Sequence, residues 1–174
     1  MTRGRSLMRG TEQMMGMTDA VWARHANPLS VYTRIPILAL LALSIFARVW
    51  IGWWCLVPVA ALAVWTFVNP RAFPPPARLD RWASRAVLGE RLYLDRARNP
   101  IPRAHAIAGQ ILAGASGLGL LVMAYGLLVL DGWATVAGVI LASGAKLWFV
   151  DRMAFLYDEM AAPGLGARRD GSLL

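Results

Sequence analysis

Apolar residues dominate three long stretches of the chain, and the polar residues between them set the predicted elements. Stretch 35–68 is 34 residues of nearly continuous apolar sequence interrupted by Arg48. A single helix of that length would reach about 51 Å, well beyond a hydrocarbon core of about 30 Å. It would also set Arg48 near its middle, at a cost of about 2.5–3.5 kcal/mol on insertion scales. The pattern therefore predicts two helices with a tight turn at 48–52. The limbs are short, about 31–47 and 53–68, so a re-entrant hairpin is the alternative; Pro58 is expected to kink the second limb. Stretch 107–130 has 24 residues and no charge, enough to span with some tilt. Asp131-Gly132 is a turn signal, and residues 133–160 return as a fourth helix that carries Lys146, the only lysine of the chain, and runs on through Asp151, Arg152, Tyr157, Asp158 and Glu159. Small residues recur at fourfold spacing in both: Gly109, Ala113 and Gly117, with Ala115 and Gly119 as a second pair, against Ala134, Gly138 and Ala142. Such rows let two helix backbones approach closely.

The segments between these stretches are polar and basic. Asp19 is suited to capping a short helix, 19–26, which Asn27-Pro28 stops; Ser30 is suited to capping the next one. Asn69-Pro70 is expected to end the first hairpin, followed by a stiff Pro74-Pro75-Pro76 spacer. Within 79–97, Leu79, Trp82, Ala83, Ala86, Val87, Tyr93 and Leu94 follow helical spacing, with Arg81, Ser84, Arg85, Arg91 and Asp95 opposite, which predicts a basic amphipathic helix suited to an anionic leaflet. Glu90 falls on the apolar stripe. The fold class that follows is an all-α membrane protein: four transmembrane helices as two hairpins joined by a cytoplasmic amphipathic helix. Residues 18–160 form its single domain, with 1–17 a disordered leader and 161–174 a flexible tail.

Composition strengthens this reading. The 174 residues are 57% hydrophobic, with a mean hydropathy of +0.48 and eight Trp, a residue that favours membrane interfaces. The formal charge of +8 could suggest nucleic acid in a soluble chain. Its distribution points to topology instead: five Arg precede the first apolar run, eight lie in 69–106 and three in 151–174, while the opposite turns hold only Arg48 and Asp131. Sixteen against one is a positive-inside pattern, placing both termini on the cytoplasmic side of a prokaryotic inner membrane.

Sequence signals for chemistry are sparse. The lone Cys55 excludes an internal disulfide. His25 and His105 sit just before the first and third spans, without HxxxH or HExxH spacing, even counting Asp80 or Glu90 as a third ligand; no metal or other cofactor is expected. There is no phosphate-binding loop, nucleophile elbow or dinucleotide motif, and the glycines of 114–119 read as helix packing. Lys146 can snorkel to the cytoplasmic edge or sit buried with a partner. Residue 151 lies some 140° around the helix from 146 at about 100° per residue, so Lys146 and Asp151 do not pair. The joining helix offers Glu90 to the lysine, and Arg85 or Arg91 to the aspartate. The candidate polar cluster is therefore His25, Arg85, Glu90, Arg91, Lys146, Asp151 and Arg152.

The segments WARHANPLSVYTR, RVWIGWW, VNPRAFPPP, WASRAVLGER and KLWFVDRM together resemble a family of small prokaryotic integral membrane proteins of unknown function, over residues 21–160. The resemblance implies no activity. It singles out His25, Asn27, Ser30, Arg34, Arg48, Asn69, Arg71, Ser84, Arg85, Glu90, Arg91, Lys146, Asp151 and Arg152, and departs from the family pattern at Leu29, where Trp is favoured. Two functions remain open. One is a non-enzymatic membrane protein, structural or accessory to a complex or to lipid organisation, with anionic lipid headgroups, another protein or a second copy as partner and no nucleic acid. The other is a small membrane enzyme or transport component with a polar site at the cytoplasmic interface. Convergence separates them: polar residues that meet around a pocket wide enough for a headgroup favour the second, and residues that pair off favour the first.

Overall fold

A computed structural model describes residues 18–161; the expected leader and tail lie outside that range, apart from Ala161. Every regular element among the described residues is helical. In chain order they are α1 (Asp19–His25), α2 (Pro28–Tyr32), α3 (Ile37–Phe46), α4 (Arg48–Ile51), a 3-10 turn (Gly52–Cys55), α5 (Leu56–Ala72), α6 (Trp82–Leu94), α7 (Arg103–Val129) and α8 (Gly132–Ala161).

Three helical stretches among the described residues are long and apolar enough to cross a membrane: Pro28–Ala72, Arg103–Val129 and Gly132–Ala161. The first is 45 residues long and bent, where sequence alone predicts two separate spans. The bend falls at the expected place. Arg48–Ile51 forms a single turn, and Gly52 follows at φ +55°, a backbone conformation that costs glycine little. Beyond it α5 packs against α3, and the Asn69 amide donates to Thr33 Oγ1 (2.8 Å) at the far end, so the two limbs run antiparallel. Helix α3 is only ten residues and α5 seventeen. Pro58 lies in the first turn of α5, where a missing N–H breaks no helical bond. Helix α5 does not stop at Asn69-Pro70 but continues through both to Ala72, with the two residues buried.

The α7–α8 hairpin forms the most extensive contact among the described residues, through Gly119 of the second predicted pair and Gly138 and Ala142 of the predicted α8 row, not through the Gly109–Ala113–Gly117 row. A methyl group added at Gly119 would lie 2.4 Å from the Ala142 amide nitrogen, one at Gly126 the same distance from that of Thr135, and one at Gly138 2.2 Å from that of Met123. Gly117 faces open space, and Gly109 meets the Tyr93 ring of α6 rather than α8. The seam is therefore Gly119–Gly126 against Thr135, Gly138 and Ala142, one seventh-residue repeat on α7 instead of the Gly109–Ala113–Gly117 row. The turn between the helices places Leu130 in the left-handed region (φ 59°), with the Asp131 carboxylate capping the Ala134 amide at 3.1 Å.

At the same end, the Arg48 guanidinium donates to the carbonyl of Leu127 and, at 3.4 Å, to that of Leu128. It thereby satisfies carbonyls that the end of α7 leaves free. This contact sets the α4 turn beside the α7–α8 turn, and the exposed Trp50, Trp53, Trp54 and Trp133 all belong to that end.

Helix α6 is amphipathic but packs inside the protein on more than one side. Gly89 lies directly against the backbone of Met153 in α8, leaving no room for a side chain. Val87 joins Trp22 and Ala26 of the α1 region, and Tyr93 packs edge-on to Phe149 in a cluster with Leu112, Met153 and Leu156. Ser84, expected on the polar face, is fully buried and donates to the Ala26 carbonyl at 2.7 Å.

Candidate functional site

The N-terminal elements are built by local capping. Thr18, one residue earlier than the expected Asp19, caps α1 through the Val21 amide, and Asn27 caps α2 through the Leu29 amide (2.9 Å). Ser30 is therefore not a cap. It is buried inside α2 and forms the centre of a polar network.

That network has a fixed direction. The Arg34 guanidinium can only donate, so His25 Nε2 accepts from it (3.2 Å) and the ring proton sits on Nδ1. His25 Nδ1 then donates to Ser30 Oγ (2.9 Å), which donates to Asn69 Oδ1 (2.8 Å). The Asn69 amide donates to Thr33 Oγ1 (2.8 Å), and that hydroxyl donates to the Leu29 carbonyl (2.7 Å). Only a neutral imidazole fits this chain. Burial, and then the adjacent Arg34 charge, push the His25 pKa down to about 4, against an opposing pull from Glu90. The network fastens α1 and α2 to α5 and aims Arg34 into the space between the two hairpins.

That space is a cavity of about 580 Å³. Its polar end is formed by His25, Arg34, Glu90 and Lys146; Leu38, Leu41, Leu120 and Leu147 supply apolar wall, with Thr66, Ser116 and Ser143 as scattered hydroxyls. Lys146 Nζ donates to Glu90 Oε1 at 2.8 Å and lies 4.7 Å from the centre of the Phe149 ring, whose π-face favours a cation. Burial alone would raise the Glu90 pKa. Lys146, by charge and hydrogen bond, together with His25 and Arg34 outweighs burial and holds the carboxyl below its usual value. With His25 neutral, the polar end carries two cations and one anion.

The seven residues of the candidate cluster thus divide. His25, Glu90 and Lys146 meet at the cavity. The other four do not. Arg85 pairs with Asp158 (2.7 Å), Arg91 with Asp19, and Arg152 lies 5.9 Å from the Phe155 ring centre. Asp151 accepts from the indole N–H of Trp82 (2.8 Å) rather than from Arg85 or Arg91. His105 does not join His25: it pairs with Glu159 (2.9 Å) near the end of α8 and does not line the cavity. Among the described residues no group of three or more His, Cys, Asp or Glu could hold a metal ion.

Arg34 is the cavity residue that the cluster omits. Its spacing from His25 and Ser30, at the entrance to an apolar run, was the available signal. Asn69 was marked only by the family resemblance and Thr33 by nothing, since a polar residue beside a proline or in a helix end usually reads as a terminator or a cap.

A family model covers residues 9–172, and its description is a family of unknown function, DUF6653. The chain belongs to this family. The match extends beyond the 21–160 of the sequence resemblance at both ends. No curated protein and no solved structure matches the chain. The family carries no activity, and the length and composition of the three apolar helical stretches are those of a membrane protein.

Proposed function

We propose that this DUF6653 protein is a binding or transport component of the prokaryotic cytoplasmic membrane that holds an anionic amphiphile between its two hairpins. The observation that carries the reading is the surplus cation at the polar end of an otherwise apolar cavity. Arg34 and Lys146 face a single carboxylate, Glu90, while Leu38 and Leu41 lie four and seven residues beyond Arg34 toward the Arg48 end. A headgroup at the polar end and a chain along the leucines match that gradient. The volume falls within the roughly 300–1,000 Å³ usual for ligand sites between helices. Pairs such as Arg85–Asp158 and Arg91–Asp19 are satisfied among themselves and serve to fasten the rim.

In this reading the chain crosses four times, with both termini and α6 cytoplasmic. Residues 28–46 reach about 28 Å at 1.5 Å per residue, close to the hydrocarbon thickness of about 30 Å. The arginine count favours this orientation, and the exposed tryptophans at the opposite turns suit the outer interface. A cysteine placed at position 48, with Cys55 replaced by Ser, reacts with an impermeant thiol reagent from outside intact cells. Reaction only after lysis would favour the re-entrant hairpin.

The binding test is lipid analysis of the full chain purified in mild detergent. The wild-type protein is expected to retain an acidic amphiphile at about one per chain, and Lys146→Met with Arg34→Met to lose it. Equal retention by folded variants would remove the cavity as the site.

A further inference from the structure

We propose that the occupant of this cavity is a single-chain amphiphile bearing one negative charge, and that Glu90 is the residue that sets the charge limit. The inference rests on the binding function above and adds a ligand class to it.

Charge decides the head. Arg34 and Lys146 supply two positive charges and Glu90 removes one, so one anion brings the polar end to neutrality. His25 cannot supply another: its Nε2 accepts from Arg34 and its Nδ1 proton is committed to Ser30, so any further positive charge there would have to break the directed chain that holds Arg34 in place. A neutral head would leave a cation uncompensated beside apolar walls. A dianion would place three negative charges against two positive ones. Both arrangements leave net charge beside the apolar wall, which is less favourable than neutrality. Donors suffice for a monoanion, since an ammonium has three N–H bonds and a guanidinium five. Lys146 uses one on Glu90 and Arg34 one on His25.

Volume decides the tail. A cavity of about 580 Å³ lies within the roughly 300–1,000 Å³ that holds a single drug-sized ligand, which matches one long alkyl chain with its head rather than two. Carboxylates and phosphodiesters share the required charge, and binding measurements separate them.

The test uses the full chain in zwitterionic lipid nanodiscs at pH 8, with binding read by native mass spectrometry. The probes are palmitate, hexadecyl methyl phosphate, hexadecyl phosphate, hexadecanol and the two-chain phosphatidylglycerol. At that pH hexadecyl phosphate is mostly dianionic, because a phosphomonoester loses its second proton near pH 6. Palmitate or hexadecyl methyl phosphate should bind at one per chain, at least tenfold tighter than hexadecyl phosphate or hexadecanol. Whichever of the two monoanions binds more tightly identifies the head as carboxylate or phosphodiester. In Glu90→Gln the affinity for hexadecyl phosphate relative to that for hexadecyl methyl phosphate should rise at least tenfold. The wild-type comparison stands by itself if that variant does not fold. Equal wild-type binding of the monoanion and the dianion would overturn the charge limit while leaving the anionic-site reading intact. Phosphatidylglycerol matching hexadecyl methyl phosphate would overturn the single-chain claim alone. Hexadecanol binding as tightly as palmitate would overturn both this inference and the function on which it rests.

Discussion

The two hairpins of this protein are held by opposite means. In the α7–α8 pair, backbones meet directly across Gly119, Gly126 and Gly138, and contact is continuous along the helices. The α3–α5 limbs are largely exposed and touch the other pair sparsely. Polar contacts hold this hairpin at its two ends, to α7 at one end and within the hairpin at the other. Arg48 grips the end of α7 at one end, and the His25–Ser30–Asn69–Thr33 chain ties α1, α2 and α5 at the other. Apolar surface offers little force for helix association in lipid, so close van der Waals packing and hydrogen bonds have to supply it. One hairpin uses the first and the other the second. The division leaves an unfilled space between them, and the cavity is that space.

The largest effect is expected where backbones meet along the α7–α8 seam. Gly138→Leu or Gly119→Leu drives a side chain into opposing backbone, beyond the about 1–3 kcal/mol usual for overpacking, and should abolish a monodisperse fold in detergent chromatography. Gly117→Leu and Gly114→Leu, which face open space, should leave it unchanged. Loss of fold from Gly117→Leu would restore the row that the sequence spacing suggests.

The loosely packed hairpin should be the acid-sensitive one. His25 is held neutral in the folded chain down to about pH 4, whereas the unfolded chain takes up a proton near 6.5. Stability should therefore fall as pH falls from 6.5 to about 4, by about 3 kcal/mol in all. Glu90 adds a loss of the same sign only below its ordinary value of 4.5. Thermal melts between pH 7 and 5 should show the slope in the wild type and lose it in His25→Gln. An unchanged slope in that variant would place the acid-sensitive group elsewhere.

A smaller effect is expected from the ion pair between the joining helix and α8. Lys146→Met and Glu90→Gln should each lower the melting temperature, with a coupling of about 0.5–3 kcal/mol in the double-mutant cycle. Strict additivity would mean that the 2.8 Å contact contributes nothing. Arg48→Gln should cost least, about 0.3–1 kcal/mol for a charge at a helix C-terminus, and should loosen the first hairpin without affecting the α7–α8 pair. Proteolysis at the α4 turn reads that loosening, and equal protection in both proteins would argue against the fastening.

What the chain determined by itself follows from the bilayer. Run length, charge placement and the Asp131 turn signal were enough to place the bend at Arg48, the α7–α8 hairpin and an amphipathic α6, because every backbone group in an apolar medium must be satisfied within its own helix. Helix rotation also separated Lys146 from Asp151 and left Glu90 as the available partner for the lysine. The tertiary structure decided what depends on helix phase and crossing. Fourfold spacing occurs on several faces of α7, and only the rotation of the helix about its axis selects Gly119 over Gly117. The crossing point of α6 gives Asp151 to Trp82 and Arg85 to Asp158. Ser30 and Asn69 read as a cap and a helix end because local spacing carries no record of a partner 39 residues away. The cavity depends on two hairpins failing to close on each other, and no local pattern encodes that.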